Sequence, residues 1–171
     1  ITGRTWIRCV SVEGMGGVGG AGFLRALIRP AETPSTTNNA ISSFNNVHEV
    51  VLDTRTTLRN KLFVFLPGTG GFPSVYQLIV KKAAAMGYHS IGLMYPNSQA
   101  IYTAAGSSNN LNDFGNCRQE IFDGVDHASG VSVDVNNCIQ SRLLKLLQYL
   151  HQQHPSQNWN QFFFGLIFPS N

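Results

Sequence analysis

Three features of the sequence predict an α/β fold with a mostly parallel sheet flanked by helices. The apolar run at 61–66 (KLFVFL) halts at Pro67-Gly68-Thr69-Gly70-Gly71 before a helical pattern begins. Strand, helix and strand succeed one another between positions 61 and 95, the spacing of a βαβ unit whose two strands run parallel. An amphipathic stretch at 136–154 is long enough to cover a sheet face. With 171 residues the chain suits one domain with a sizeable core. Composition divides it into a Gly-, Pro-, Ser- and Asn-rich segment of little regular structure at 1–45 and an α/β domain at 46–171.

Residues 4–12 (RTWIRCVSV) carry strand-forming types, and GFLRALIR at 22–29 reads as a short helix. Between them Gly14, Gly16 and Gly19 make a formal G-x-G-x-x-G, with Gly20 following. A dinucleotide-binding turn also needs a second strand that ends in an acidic residue about 20 positions later. Here Glu32 lies among turn formers with no strand leading to it, so a dinucleotide-binding module at Gly14 to Gly20 is kept as an alternative and no cofactor is expected.

HEVVLDT at 48–54 reads as a strand, and KLFVFL as a second one whose unbroken apolar character suits burial on both faces. Pro73 and Ser74 can open a helix in which Val75, Leu78, Ile79, Ala83 and Met86 recur at helical spacing. Gly87 stands where a helix C-terminal glycine belongs, and YHSIGLMY at 88–95 forms the next strand, stopped by Pro96 and Asn97. Tyr95, Pro96 and Asn97 read as a strand stop, or else as the lining of a cleft at the strand's C-terminal end.

Residues 96–116 form a long polar loop of the kind that more often carries function than plain connection, and RQEIFDG at 118–124 gives one or two helical turns. In the helix at 136–154, Ile139, Leu143, Leu146, Leu147 and Leu150 form the apolar stripe, with Lys145, Gln148 and Gln152 facing away. Asn136 or Asn137 caps it and Pro155 ends it, after which FFFGLIF at 162–168 reads as a further buried strand.

Charged residues are 12% of the chain, against about 25% in ordinary soluble domains, and the polar remainder suits a secreted protein. The net charge of +3 comes from scattered Lys and Arg, which excludes the basic footprint of a nucleic-acid or anionic-membrane partner. No apolar run approaches the ~18 residues of a membrane span. Of the cysteines Cys9, Cys117 and Cys138, the last two can form a bridge, and none makes a C-x-x-C metal pair.

The Pro67–Gly71 corner admits three uses: a tight turn built on positive-φ glycines, a phosphate cradle, or an oxyanion donor. A P-loop requires Lys and Ser or Thr directly after its last glycine, and Phe72-Pro73 stand there instead. His48, His89, His127, His151 and His154 are scattered and read as structural or solvated; His151 and His154 share a helix end, where the dipole favours cations, without completing a metal site. Arg118, Glu120 and Asp123 read as a solvated surface segment in which Arg118 can pair with a neighbour.

The segments KLFVFLPGTGGFPSVYQLIVKKAAAMGYHSIGLMYPNS, CRQEIFDG and IQSRLLKLLQYLHQQHPSQNWNQF resemble α/β-hydrolase-fold proteins related to chlorophyllase and cutinase-like esterases, over about residues 46–163. The resemblance implies an incomplete α/β-hydrolase-like fold and a serine ester hydrolase family acting on small-molecule or lipid esters. It also implies that the backbone N–H groups of Thr69 and Gly70 are oxyanion-hole donors. In that family a strand after the long helix leads to a G-x-S-x-G nucleophile elbow, with the triad Asp and His later. No G-x-S-x-G occurs here, and the nearest candidate, Ser129 in HASG, lacks the upstream glycine.

The expectation is therefore the N-terminal part of a hydrolase domain, supplying the oxyanion turn without its nucleophile and inactive as given. The alternative is a non-catalytic binding or structural protein on a degenerate hydrolase scaffold. A half-sheet leaves an open edge and an uncovered apolar face on the 136–154 helix, so self-association is expected.

Overall fold

The computed structural model describes residues 22–33, 41, 43–106, 112–128 and 130–163. Their strands are β1 (Phe23–Ile28), β2 (His48–Asp53), β3 (Leu62–Phe65) and β4 (His89–Gly92), and their α-helices are α1 (Gln77–Ala85), α2 (Ile101–Ala104), α3 (Asp113–Asp123) and α4 (Ile139–Gln153). The readings of 4–12 as a strand, of Gly14 to Gly20 as a cofactor turn and of 164–168 as part of a further strand lie outside the described residues, as do Cys9 and Ser129.

The strands form one sheet in the order β1-β2-β4-β3. β1 runs antiparallel to β2 with Ala26 opposite Val50, β2 antiparallel to β4 with Val50 opposite Ile91, and β3 parallel to β4 with Val64 opposite Ile91. The class is α/β as expected, but the sheet is mixed rather than mostly parallel. Parallel pairing is forced only across β3-α1-β4, where a helix makes the crossover; the chain returns from β1 to β2 without an α-helix among the described residues, and an antiparallel neighbour requires no crossover.

GFLRALIR supplies β1 rather than a helix, so the sheet reaches into the segment at 1–45. The reason is periodicity on a pleated face: Leu24, Ala26 and Ile28 alternate into the core. Arg25, on the other parity, forms an ion pair with the fully buried Glu49 of β2.

α1 covers one face of the sheet, where Val80 and Ala84 pack with Val51 and against Phe23 and Phe65. The other face holds the larger core, in which Val50, Leu52, Ile91 and Leu93 meet Ile121 of α3 and Leu143, Leu146, Leu147 and Leu150 of α4. Trp159, in a short 3-10 turn at Trp159–Phe162, closes that core with its ring 4.8 Å from His89. Each such fully buried large apolar side chain contributes about 1.5–3 kcal/mol relative to exposure, so the α4 face anchors the fold.

Several expectations change at the level of faces. β3 is half-buried instead of covered on both sides, because it is the edge of the described sheet. The α1 stripe is rotated: Leu78 is 76% and Val75 69% exposed, while Val80, Ala83 and Ala84 face inward. A 3-10 turn at Pro73–Tyr76 precedes α1 and shifts its register. The predicted α4 stripe is buried throughout, so that helix face is covered, and Lys145 is buried with it rather than facing away. Cys138, not Asn136 or Asn137, is the N-cap of α4, its sulfur accepting from the Ser141 N–H at 3.4 Å.

Cys117 and Cys138 are both free and buried, so no bridge joins them. RQEIFDG belongs to the longer α3, ended by Gly124 at φ +76°. Among the described residues no helix is long and apolar enough to cross a membrane.

Candidate functional site

β3 and β4 end side by side, and the Leu93 N–H still donates to Phe65 O at 2.9 Å as the two strands give way to loops. From there the two chains form one corner. Gly71 N–H donates to Gly68 O at 2.9 Å, closing a four-residue turn with Thr69 and Gly70 at its centre, and Gly70 has φ +69°. A positive φ at the third position is the type II signature and suits glycine. The corner therefore lies beyond the C-terminal ends of two parallel strands, where α/β clefts form.

The Tyr95–Asn97 segment holds this turn from below. The Tyr95 hydroxyl donates to Pro67 O at 2.7 Å, and burial pushes its pKa above the ordinary phenol value, so it remains a donor. Asn97, 6% exposed, donates through Nδ2 to Gly68 O at 2.9 Å and Gly71 O at 3.0 Å, while its own carbonyl accepts from Gly70 N–H at 2.7 Å. Tyr95 and Asn97 thus do more than stop a strand. The sequence signal was a polar side chain directly after a buried strand and Pro96, where burial demands a hydrogen-bond partner.

The two residues expected to donate to an oxyanion differ. Gly70 N–H is committed to Asn97 and has nothing left to offer a ligand. Thr69 is exposed, and among the described residues its N–H has no acceptor.

Beside the corner lies a cavity of about 590 Å³, lined by Leu66 and Tyr95 from the strand ends, Ile101 of α2, Ile121 and Phe122 of α3 and Ile139 of α4, with Arg118 and Gln119 as its polar members. That volume is in the range of small-molecule pockets.

The charged segment of α3 is not a solvated surface throughout. Glu120 is buried and accepts from the N–H groups of His127, Ala128 and Val133, each at 3.1 Å, which anchors the loop after α3. Asp123 accepts from Gln119 Nε2 at 2.7 Å and Val125 N–H at 2.9 Å, and lies 3.1 Å from His127 Nε2. These bonds hold its carboxyl below the ordinary value against the opposing effect of burial. Arg118 stacks on Phe114, 4.5 Å from the ring centroid, and among the described residues it pairs with no carboxylate.

The buried histidines are structural. His48 Nδ1 accepts from Met94 N–H at 2.9 Å, and burial followed by the charge of Arg142 lowers its pKa to about 3. His89 lies 2.9 Å from Gln157 O, with its pKa lowered by burial. Burial, then Asp113 and Glu120, push the Cys117 thiol up, which keeps it protonated. Among the described residues no serine or cysteine side chain hydrogen-bonds a histidine, and no group of three or more His, Cys, Asp and Glu could hold a metal ion.

No family model, curated protein or solved structure matches the chain.

Proposed function

We propose that the Pro67–Gly71 corner is the oxyanion-donating turn of an α/β-hydrolase-type serine ester hydrolase, with Thr69 as the donor. The observation that carries this reading is the open Thr69 N–H on a turn joining the third strand to the first helix. That connection is where α/β-hydrolases supply one of their oxyanion donors. When a serine oxygen attacks an ester carbonyl carbon, the carbonyl π pair moves onto oxygen, and a fixed N–H beside it stabilises that charge by about 3 kcal/mol. The three bonds of Asn97 and the Tyr95 hydroxyl bond supply the rigidity such a donor needs. The neighbouring cavity would take the apolar part of a small-molecule or lipid ester.

A serine on a G-x-S-x-G turn is missing from the 171 residues, so this chain is expected to leave an activated short-chain ester unhydrolysed and a fluorophosphonate probe unattached. The deciding experiment reads the coding sequence adjoining Asn171 and assays any protein in which an elbow follows. There Thr69→Pro, which deletes the N–H, should lower kcat about 10²–10³-fold. An unchanged kcat, or labelling of the present chain by the probe, overturns the reading. A non-catalytic binding protein is the second reading, favoured by a well-formed cavity with no serine–histidine contact among the described residues.

A further inference from the structure

The cavity between α2, α3, α4 and the ends of β3 and β4 has a wall chemistry that selects a ligand class. Three polar side chains line it. The Tyr95 O–H is committed to Pro67 O and one Gln119 amide hydrogen to Asp123, and neither side chain carries a charge to hold an ionic ligand. Arg118 remains.

Other described arginines have oxygen acceptors: Glu49 for Arg25, Asp53 for Arg55, and backbone carbonyls for Arg29, Arg59 and Arg142. Among the described residues Arg118 is the arginine with no hydrogen bond, held only by its stack on the Phe114 ring. Stacking fixes the plane of the guanidinium while leaving its edge donors free, the geometry that accepts a carboxylate through two parallel N–H···O bonds.

We propose that this cavity binds an aliphatic monocarboxylate, with its chain against Leu66, Ile101, Ile121 and Ile139 and its carboxylate on Arg118. Arg118 is the one charged side chain of the lining and is exposed, whereas Ile121 and Ile139 are buried, so a charged head meets the cation and an aliphatic tail meets the apolar part of the wall. The volume of about 590 Å³ leaves room for a ligand of that kind. The inference uses neither Thr69 nor any nucleophile, so it stands or falls apart from the hydrolase reading.

Gly115 provides a blocking variant. It lies within α3 and lines the cavity, and a Cβ added there meets nothing within 4 Å. Gly115→Leu therefore starts its side chain into open space, and it replaces a poor helix former by a good one.

The experiment is calorimetric titration of the full chain with decanoate, decanol and decyltrimethylammonium, each below its micellar concentration. Decanoate should bind at least tenfold more tightly than either of the others. Arg118→Gln should bring decanoate down to the decanol level while leaving decanol unchanged, the loss expected for a charge-assisted bidentate contact. Gly115→Leu should abolish both without lowering the thermal midpoint. Equal affinity for decanoate and decanol, decanoate binding indifferent to Arg118→Gln or to Gly115→Leu, or no binding at all would each overturn the proposal.

Discussion

Asn97 holds the corner at both ends of its side chain and backbone: two carbonyls accept from Nδ2 and one amide donates to its own carbonyl. Asn97→Ala removes the two side-chain bonds and exposes the freed carbonyls to water, so it should cost about 1–2 kcal/mol in urea unfolding. His48 makes a different kind of prediction. Its folded pKa of about 3 lies below the ordinary value of 6.5, so the unfolded chain binds a proton that the folded chain refuses. Stability should fall as pH drops from 6.5 towards 3, by about 1.4 kcal/mol per pH unit for one such group. His89 and His154, also lowered by burial, act in the same direction. His48→Asn, which keeps an acceptor for Met94 N–H, should flatten the stability slope between pH 5 and 6 by about one proton, measured by denaturant unfolding at each pH. An unchanged slope would mean that His48 is protonated in the fold.

α1 and α4 both read as amphipathic, and the structure treats their leucines oppositely. Leu146 is fully buried in the main core, whereas Leu78 is 76% exposed. Leu146→Ala should destabilise by about 2–5 kcal/mol, and Leu78→Ala should stay within about 0.5 kcal/mol, both by urea unfolding. The α4 stripe was readable because 15 residues at helical period leave one face for a core. In α1, with 9 residues and a 3-10 turn ahead of it, apolar residues stand on more than one side and spacing cannot select the buried one. β1 was misread for a related reason: FLRALI suits a helix by composition, and pairing with β2 decides it.

Among the described residues a run of exposed apolar side chains follows the chain into and along α1, with Phe72, Val75, Leu78, Ile79 and Met86, and β3 is the edge of the described sheet. The apolar stripe of α4 is covered, so association is expected at α1 and the segment before it instead. Exposed apolar side chains and an edge strand each favour association. The chain should therefore show a concentration-dependent mass in light scattering, and Val75→Lys with Leu78→Lys should shift association to higher concentration. A mass that stays monomeric across millimolar concentrations would contradict this.

The βαβ unit, the glycine at 87 and the α4 stripe were legible in the order of residues, since each depends on local period or on a backbone angle that one residue type accepts. The Pro67–Gly71 corner was legible as a place but not as a device. Which amide stays open follows from Asn97, 27 positions after Gly70, reaching the same turn. Likewise the mixed sheet and the burial of Lys145 depend on elements far along the chain. Contacts between distant residues decide those features, and no window of sequence contains both sides of such a contact.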